Sequence, residues 1–251
     1  MKRTVPVLII LLMQVFYISC GSRGLQRQYN TLNEQTVFVG NNVVVKAVRC
    51  QERGIEGTPA CVELLKKLPN IYESNSGSGT FIKHKGKIKV LTAEHVCRPD
   101  SAPQKIEKDD FIVEVHKESS IKVASQDFVS NGKVVKFNEE KDLCLIELEE
   151  QPDVKVAWVA LHMPLRGSRI HYAGAPYSMM SEDFLLYFEG TYSGPMQEGE
   201  VFALPCAPGA SGSSIRDDQN MIVSMVQRVH SKFHHICFGV NTSAIREFLS
   251  N

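Results

Sequence analysis

Along this chain apolar residues recur mostly with a period of two, in short runs separated by turn residues, a pattern that predicts strands. Residues 87–93, Lys-Ile-Lys-Val-Leu-Thr-Ala, alternate and then turn fully apolar, which suits a strand entering a core. Residues 142–148, Asp-Leu-Cys-Leu-Ile-Glu-Leu, read as a mostly buried strand with an acid at its head. The β-branched run 43–48 predicts the first strand, and 111–116, 121–124 and 133–138 predict three more. Between the first and second strands, 50–75 reads as an insertion holding a short helix over 62–68 that Pro69 stops. Turns are expected at Pro164, at Gly174-Ala175-Pro176 and at Gly194-Pro195. A hairpin is expected to join 214–216 to 221–228 around Asp217-Asp218-Gln219-Asn220. Asn241-Thr242-Ser243 offers caps for a closing helix over 243–249. These elements make an all-β chain with a short C-terminal helix. Its first unit spans 41–150 and its second 151–251, joined at Gln151-Pro152-Asp153.

Charge changes this picture little. The 251 residues carry 28 basic and 28 acidic side chains, so no electrostatic pull toward nucleic acid or an anionic membrane surface is visible. A hydrophobic content of 43% is enough for a sizeable core. No internal repeat or low-complexity tract appears.

Three segments carry chemistry. They are Thr92-Ala93-Glu94-His95-Val96, Asp142-Leu143-Cys144-Leu145-Ile146 and Pro208-Gly209-Ala210-Ser211-Gly212-Ser213. Glycines at 209 and 212 permit backbone conformations that disfavour a Cβ, so this turn can expose the Ser211 hydroxyl. The same turn can aim the backbone N–H groups of Gly209 and Ser211 at one point, as a tetrahedral oxyanion requires. A serine hydroxyl is a poor nucleophile at neutral pH and needs a base. His95 supplies an imidazole, and Asp142 a carboxylate to fix its tautomer.

These motifs resemble those of trypsin-like (chymotrypsin-fold) serine peptidases, in particular the bacterial HtrA-type and V8-type branches. The resemblance runs from about residue 41 to 248 and includes Ser76-Gly77-Ser78-Gly79-Thr80-Phe81-Ile82 and, near the end, Gly239-Val240-Asn241. It implies two six-stranded antiparallel β-barrels. It also implies a serine endopeptidase with Ser211 as acylated nucleophile, His95 as base and then acid, and Asp142 as orienter. Gly209 and Ser211 would give the oxyanion amides. Gln227, Arg228 and Val229 would form the edge that pairs with an extended polypeptide substrate. Pro205 takes the pocket-floor position, where nothing would pair with Lys or Arg, and His230 is placed to favour an acidic side chain. Ala210 stands where zymogen-type members carry an Asp, so activation by insertion of a new N-terminus is not implied; Arg53-Gly54-Ile55-Glu56-Gly57 reads as a loop. No organic cofactor or metal is required. The oligomeric state is left open.

Two rival readings remain. His230, His234 and His235 form a histidine cluster, but no neighbouring carboxylate or cysteine pair completes a metal site. A non-catalytic relative of the same fold could instead use the barrel edge only to bind peptides.

The N-terminus predicts export. Lys2-Arg3 is followed by an apolar run shorter than the ~18 residues of a spanning helix, then by small and polar residues, so 1–20 reads as a signal. Tyr17-Ile18-Ser19-Cys20 resembles a lipobox, which would make Cys20 a lipidation site and attach the protein to a membrane through its N-terminus. The destinations are periplasmic, membrane-anchored or secreted. A polar tether is expected over 21–40. Seven cysteines include Cys20; Cys50, Cys61, Cys97, Cys144, Cys206 and Cys237 remain, with fifteen pairings open. The resemblance implies a pocket-bracing disulfide between Cys206 and Cys237. Cys50 and Cys61 could close a local loop, leaving Cys97 and Cys144 either paired or, for Cys144, a free buried thiol.

Overall fold

A computed structural model describes residues 30–32, 34–67, 71–98, 104–108, 110–181, 184–197 and 199–251. The signal, Cys20 and residues 21–29 of the expected tether lie outside the described residues.

Six strands close the first barrel: β1 (Thr36–Glu52), β2 (Ile71–His84), β3 (Lys87–Thr92), β4 (Phe111–Ser125), β5 (Phe128–Asn138) and β6 (Leu143–Leu148). Around the barrel they run β1-β2-β3-β6-β5-β4 and back to β1, each pair antiparallel. Six more close the second: β7 (Arg169–Gly174), β8 (Phe184–Met196), β9 (Gly199–Ala203), β10 (Ser214–Arg216), β11 (Ile222–His230) and β12 (Phe233–Gly239). Their order, β7-β8-β9-β12-β11-β10 and back to β7, repeats the first strand for strand. Closure leaves no long unpaired sheet edge within either barrel. Short helices occupy Pro59–Lys67, Glu94–Cys97 and Thr242–Ser250; the last is capped by Asn241, whose side chain accepts from the Ala244 N–H at 2.8 Å.

Several expected boundaries shift outward. β1 begins at Thr36, so the end of the expected tether is strand; Val37 and Val39 alternate with Phe38 and are fully buried in the first core. The insertion after β1 is correspondingly shorter, because β2 already pairs with β1 at Ile71 and Val45. The strands expected at 111–116 and 121–124 are one, β4, whose backbone stays paired with β1 throughout. Gly194-Pro195 is not a turn: β8 continues through Met196, and Gly194 (φ 120°) sits at a register shift opposite Val201. A bulge there accommodates the proline, which cannot donate to a ladder.

The ends of the chain cross between barrels. Leu32, fully buried, packs with Ala173, Leu185 and Tyr187 of the second barrel. Glu34 pairs with Lys155 at 2.8 Å, and Gln35 donates to the Val156 carbonyl at 2.9 Å and accepts from the wholly buried Arg216. At the other end, Ile245 and Phe248 of the closing helix pack into the first barrel's core, and His84 bonds the Leu249 carbonyl at 3.0 Å. Between the barrels, Ala157 donates to Phe81 O and Ile222 to Trp158 O, so the crossover is hydrogen-bonded to both.

Candidate active site

His95 lies in the four-residue helix that leaves β3, and Asp142 in the turn that enters β6; β3 and β6 are direct neighbours in the first barrel. That adjacency brings two residues 47 positions apart into contact. The His95 Nδ1 stands 2.9 and 3.0 Å from the two Asp142 carboxylate oxygens, and the His95 backbone N–H donates to Oδ1 at 3.0 Å. Asp142 has φ 47°, a left-handed conformation that aspartate tolerates better than most side chains. The Cys97–Cys144 disulfide ties the His95 helix to β6 just beyond both residues. The hydrogen bond to Asp142 is the main influence holding the His95 imidazolium's pKa above its usual 6.5, against an opposing effect of burial. With Nδ1 engaged by a carboxylate, Nε2 is the nitrogen left to act as base.

Ser211 comes from the second barrel, in the loop between β9 and β10. Its hydroxyl donates to the Gln227 carbonyl at 3.4 Å and makes no hydrogen bond to His95. The two halves nevertheless meet across Gly77. A methyl at that glycine would lie 2.5 Å from Val96, the neighbour of His95, and 2.7 Å from the Ser211 carbonyl. The side chain of Gln227 also donates to the Lys141 carbonyl beside Asp142, closing the circuit between barrels.

The loop around Ser211 is fixed carbonyl by carbonyl. Pro208 O accepts from Tyr177 N–H at 2.7 Å, Gly209 O from the Ser78 hydroxyl at 2.9 Å, Ala210 O from Ser213 N–H at 2.9 Å, and Ser211 O from Ser78 N–H at 2.8 Å. Ala210 N–H donates to Ala207 O, whereas the amides of Gly209 and Ser211 donate to no acceptor among the described residues. Gly209 (φ 92°) and Gly212 (φ 86°) make this path possible; a Cβ on Gly212 would fall 2.0 Å from Ser78 O.

The expected substrate residues flank this loop. Pro205 O accepts from the Tyr172 hydroxyl at 2.8 Å. β10 pairs with β11 only as far as Met225, and among the described strands none lies along that side of β11 at Gln227, Arg228 and Val229. Val229 packs on the second core, and the Arg228 guanidinium lies 5.1 Å from the Phe238 ring centre. His230 packs near Phe233 and Phe238 and lines a cavity of about 380 Å³ together with Met196 and Ser231. His234 and His235 are exposed, and among the described residues no three His, Cys, Asp or Glu side chains cluster as a metal site requires. Disulfides join Cys50 to Cys61, Cys97 to Cys144 and Cys206 to Cys237, so Cys144 is not a free thiol. Tyr177 carries no motif signal in the sequence, and Ser78 carries only the glycine on each side of it.

Comparison with known proteins agrees with this geometry. A family model described as a trypsin-like peptidase domain matches residues 77–225. A search of curated protein sequences gives no match. Among solved structures, the chain is similar to the active form of the Rv3671c protease from M. tuberculosis, with TM-score 0.58 and 13% identity over 89% of this chain and 82% of that one. It is also similar to the serine endoprotease from Yersinia pestis, with TM-score 0.59 and 16% identity over 88% of this chain and 64% of that one. At such identities the structural matches speak for the fold, and the family match covers more than half of the sequence: the chain belongs to the trypsin-like peptidase domain family and is a serine-type endopeptidase.

Proposed function

We propose that the protein hydrolyses peptide bonds through a His95–Asp142–Ser211 triad and an acyl-enzyme. The observation that carries this reading is the pairing of His95 Nδ1 with Asp142 across from a serine loop whose two amides are unclaimed. In the reaction, His95 Nε2 takes the Ser211 proton as Oγ attacks the carbonyl carbon. The Gly209 and Ser211 amides hold the oxyanion, and Asp142 stabilises the imidazolium. The imidazolium then protonates the leaving amine as the C–N bond breaks. Water, deprotonated by the same imidazole, resolves the ester and restores Ser211. For this step the Ser211 hydroxyl has to leave Gln227 O, to which it donates at 3.4 Å, and turn to His95 Nε2.

The side of β11 turned away from β12 at Gln227, Arg228 and Val229, beyond the point where its pairing with β10 stops at Met225, suits a substrate bound as an added strand. His230 in the lining of the adjoining cavity is in keeping with a preference for acidic side chains. Export is part of the proposal: all six cysteines after Cys20 pair, as an oxidising compartment permits. Anchoring through a lipidated Cys20 would account for the lipobox-like segment. Mass-spectrometric profiling of a peptide library tests the reading. The wild type should cleave, and His95→Ala and Ser211→Ala should abolish cleavage with circular dichroism unchanged. Cleavage that persists in either variant would contradict the triad.

A further inference from the structure

We infer that Ser78 is a positioning residue for the oxyanion-binding amides, acting through three bonds at once. The inference rests on the triad reading above and extends it to the first barrel.

Ser78 sits on β2, fully buried. Its hydroxyl has one proton, which it donates to Gly209 O at 2.9 Å, and it accepts the Ala175 N–H at 3.0 Å. Its backbone N–H donates to Ser211 O, and its carbonyl accepts the Thr92 hydroxyl at 2.7 Å. One residue of the first barrel therefore grips the serine loop at two carbonyls and the β7 exit at one amide.

The grip matters because a trans peptide is planar, with its C=O and N–H pointing in opposite directions. The Gly209 N–H belongs to the Pro208–Gly209 peptide. Tyr177 N–H holds the oxygen of that peptide on one side, so its N–H is presented on the other. The turn that supplies Tyr177 N–H is in turn held by Ser78 Oγ at Ala175. Tyr177 itself has φ 52° and ψ 30°, a conformation disfavoured for a bulky side chain, so this turn needs an external restraint. Without the Ser78 hydroxyl, Gly209 O and Ala175 N–H lose their partners: the Gly209–Ala210 peptide loses its anchor, and the Pro208–Gly209 peptide depends on a Tyr177 turn that has lost its own. Gly209, which has no Cβ, lets these peptides rotate. The neighbouring Ser213 hydroxyl is an internal contrast: it is buried close to Ser78 and has no hydrogen-bond partner among the described residues.

The test measures the second-order rate of labelling by a fluorophosphonate in the full-length protein. The phosphoryl oxygen of that reagent needs the same amides as a peptide oxyanion. Labelling of wild type but not of Ser211→Ala establishes the underlying reading independently. Ser78→Ala should then label about 10- to 100-fold more slowly, somewhat less than outright loss of an oxyanion donor. It should still reach full occupancy, with the midpoint of the pH–rate profile unchanged because His95 and Asp142 are untouched. A wild-type rate for Ser78→Ala overturns the inference. So does a reduced final occupancy with the surviving fraction reacting normally, which is loss of fold, or a shifted pH midpoint, which is an effect through His95. Should Ser78→Ala not fold, Ser78→Cys keeps a weaker donor in place; an intermediate rate supports the inference and a wild-type rate overturns it.

Discussion

At the level of single residues, the chemistry turns on what Asp142 does to His95. A base must be neutral to accept the Ser211 proton, and the Asp142 hydrogen bond raises the His95 pKa above 6.5. Activity should therefore fall on the acid side with a midpoint above about 6.5. Asp142→Asn should move that midpoint down and lower kcat by about 10⁴-fold, because the amide stabilises the wrong tautomer and no imidazolium. A pH–rate profile of kcat/KM for both proteins checks the two effects together. The stability consequence has the opposite sense: the His95–Asp142 pairing favours the fold most below pH ~6.5 and is lost as pH rises through the raised value. At Gly212 the constraint is steric. Gly212→Ala would place a methyl 2.0 Å from Ser78 O at an unfavourable φ, and should lower Tm and labelling together.

Among elements, the arm before β1 and the closing helix stand out because each packs on the barrel that the other end of the chain builds. Leu32→Ala should cost about 2–5 kcal/mol in urea denaturation, the range for emptying a buried leucine site, although it lies outside both barrels. A cost within a few tenths of a kcal/mol would show that the arm is dispensable. The sequence made some elements legible and hid others for definable reasons. The strand leading to His95 alternates before turning fully apolar, the one from Asp142 is a nearly continuous apolar run, and the glycines around Ser211 declare a turn, so local pattern located all three. The length of β4 was hidden because its middle is polar and is held by backbone pairing with β1. Gly194-Pro195 read as a turn because a bulge uses the same residues. The role of Ser78 was illegible because its hydroxyl partners lie 97 and 131 positions away.

For the molecule as a whole, two topologically equivalent barrels each contribute part of the site, so its geometry depends on how they are held together. The disulfides, each within one barrel, do not contribute equally to the site. Cys97–Cys144 closes a 47-residue separation and Cys50–Cys61 one of 11. Chain entropy then assigns about 4 and about 3 kcal/mol to them. Removing the first pair by Cys97→Ala/Cys144→Ala should destabilise the protein more than Cys50→Ala/Cys61→Ala, and it alone should also slow labelling, since it ties the His95 helix to the Asp142 strand. Guanidinium denaturation and the labelling rate of both double variants decide this. The most direct measurement of the central claim is peptide mapping after fluorophosphonate treatment, in which the Oγ–P bond forms as P–F breaks and the imidazole takes the hydroxyl proton. The account predicts a single adduct on Ser211, lost in His95→Ala and growing in above pH ~6.5. An adduct elsewhere, or one on Ser211 that forms as fast without His95, would contradict it.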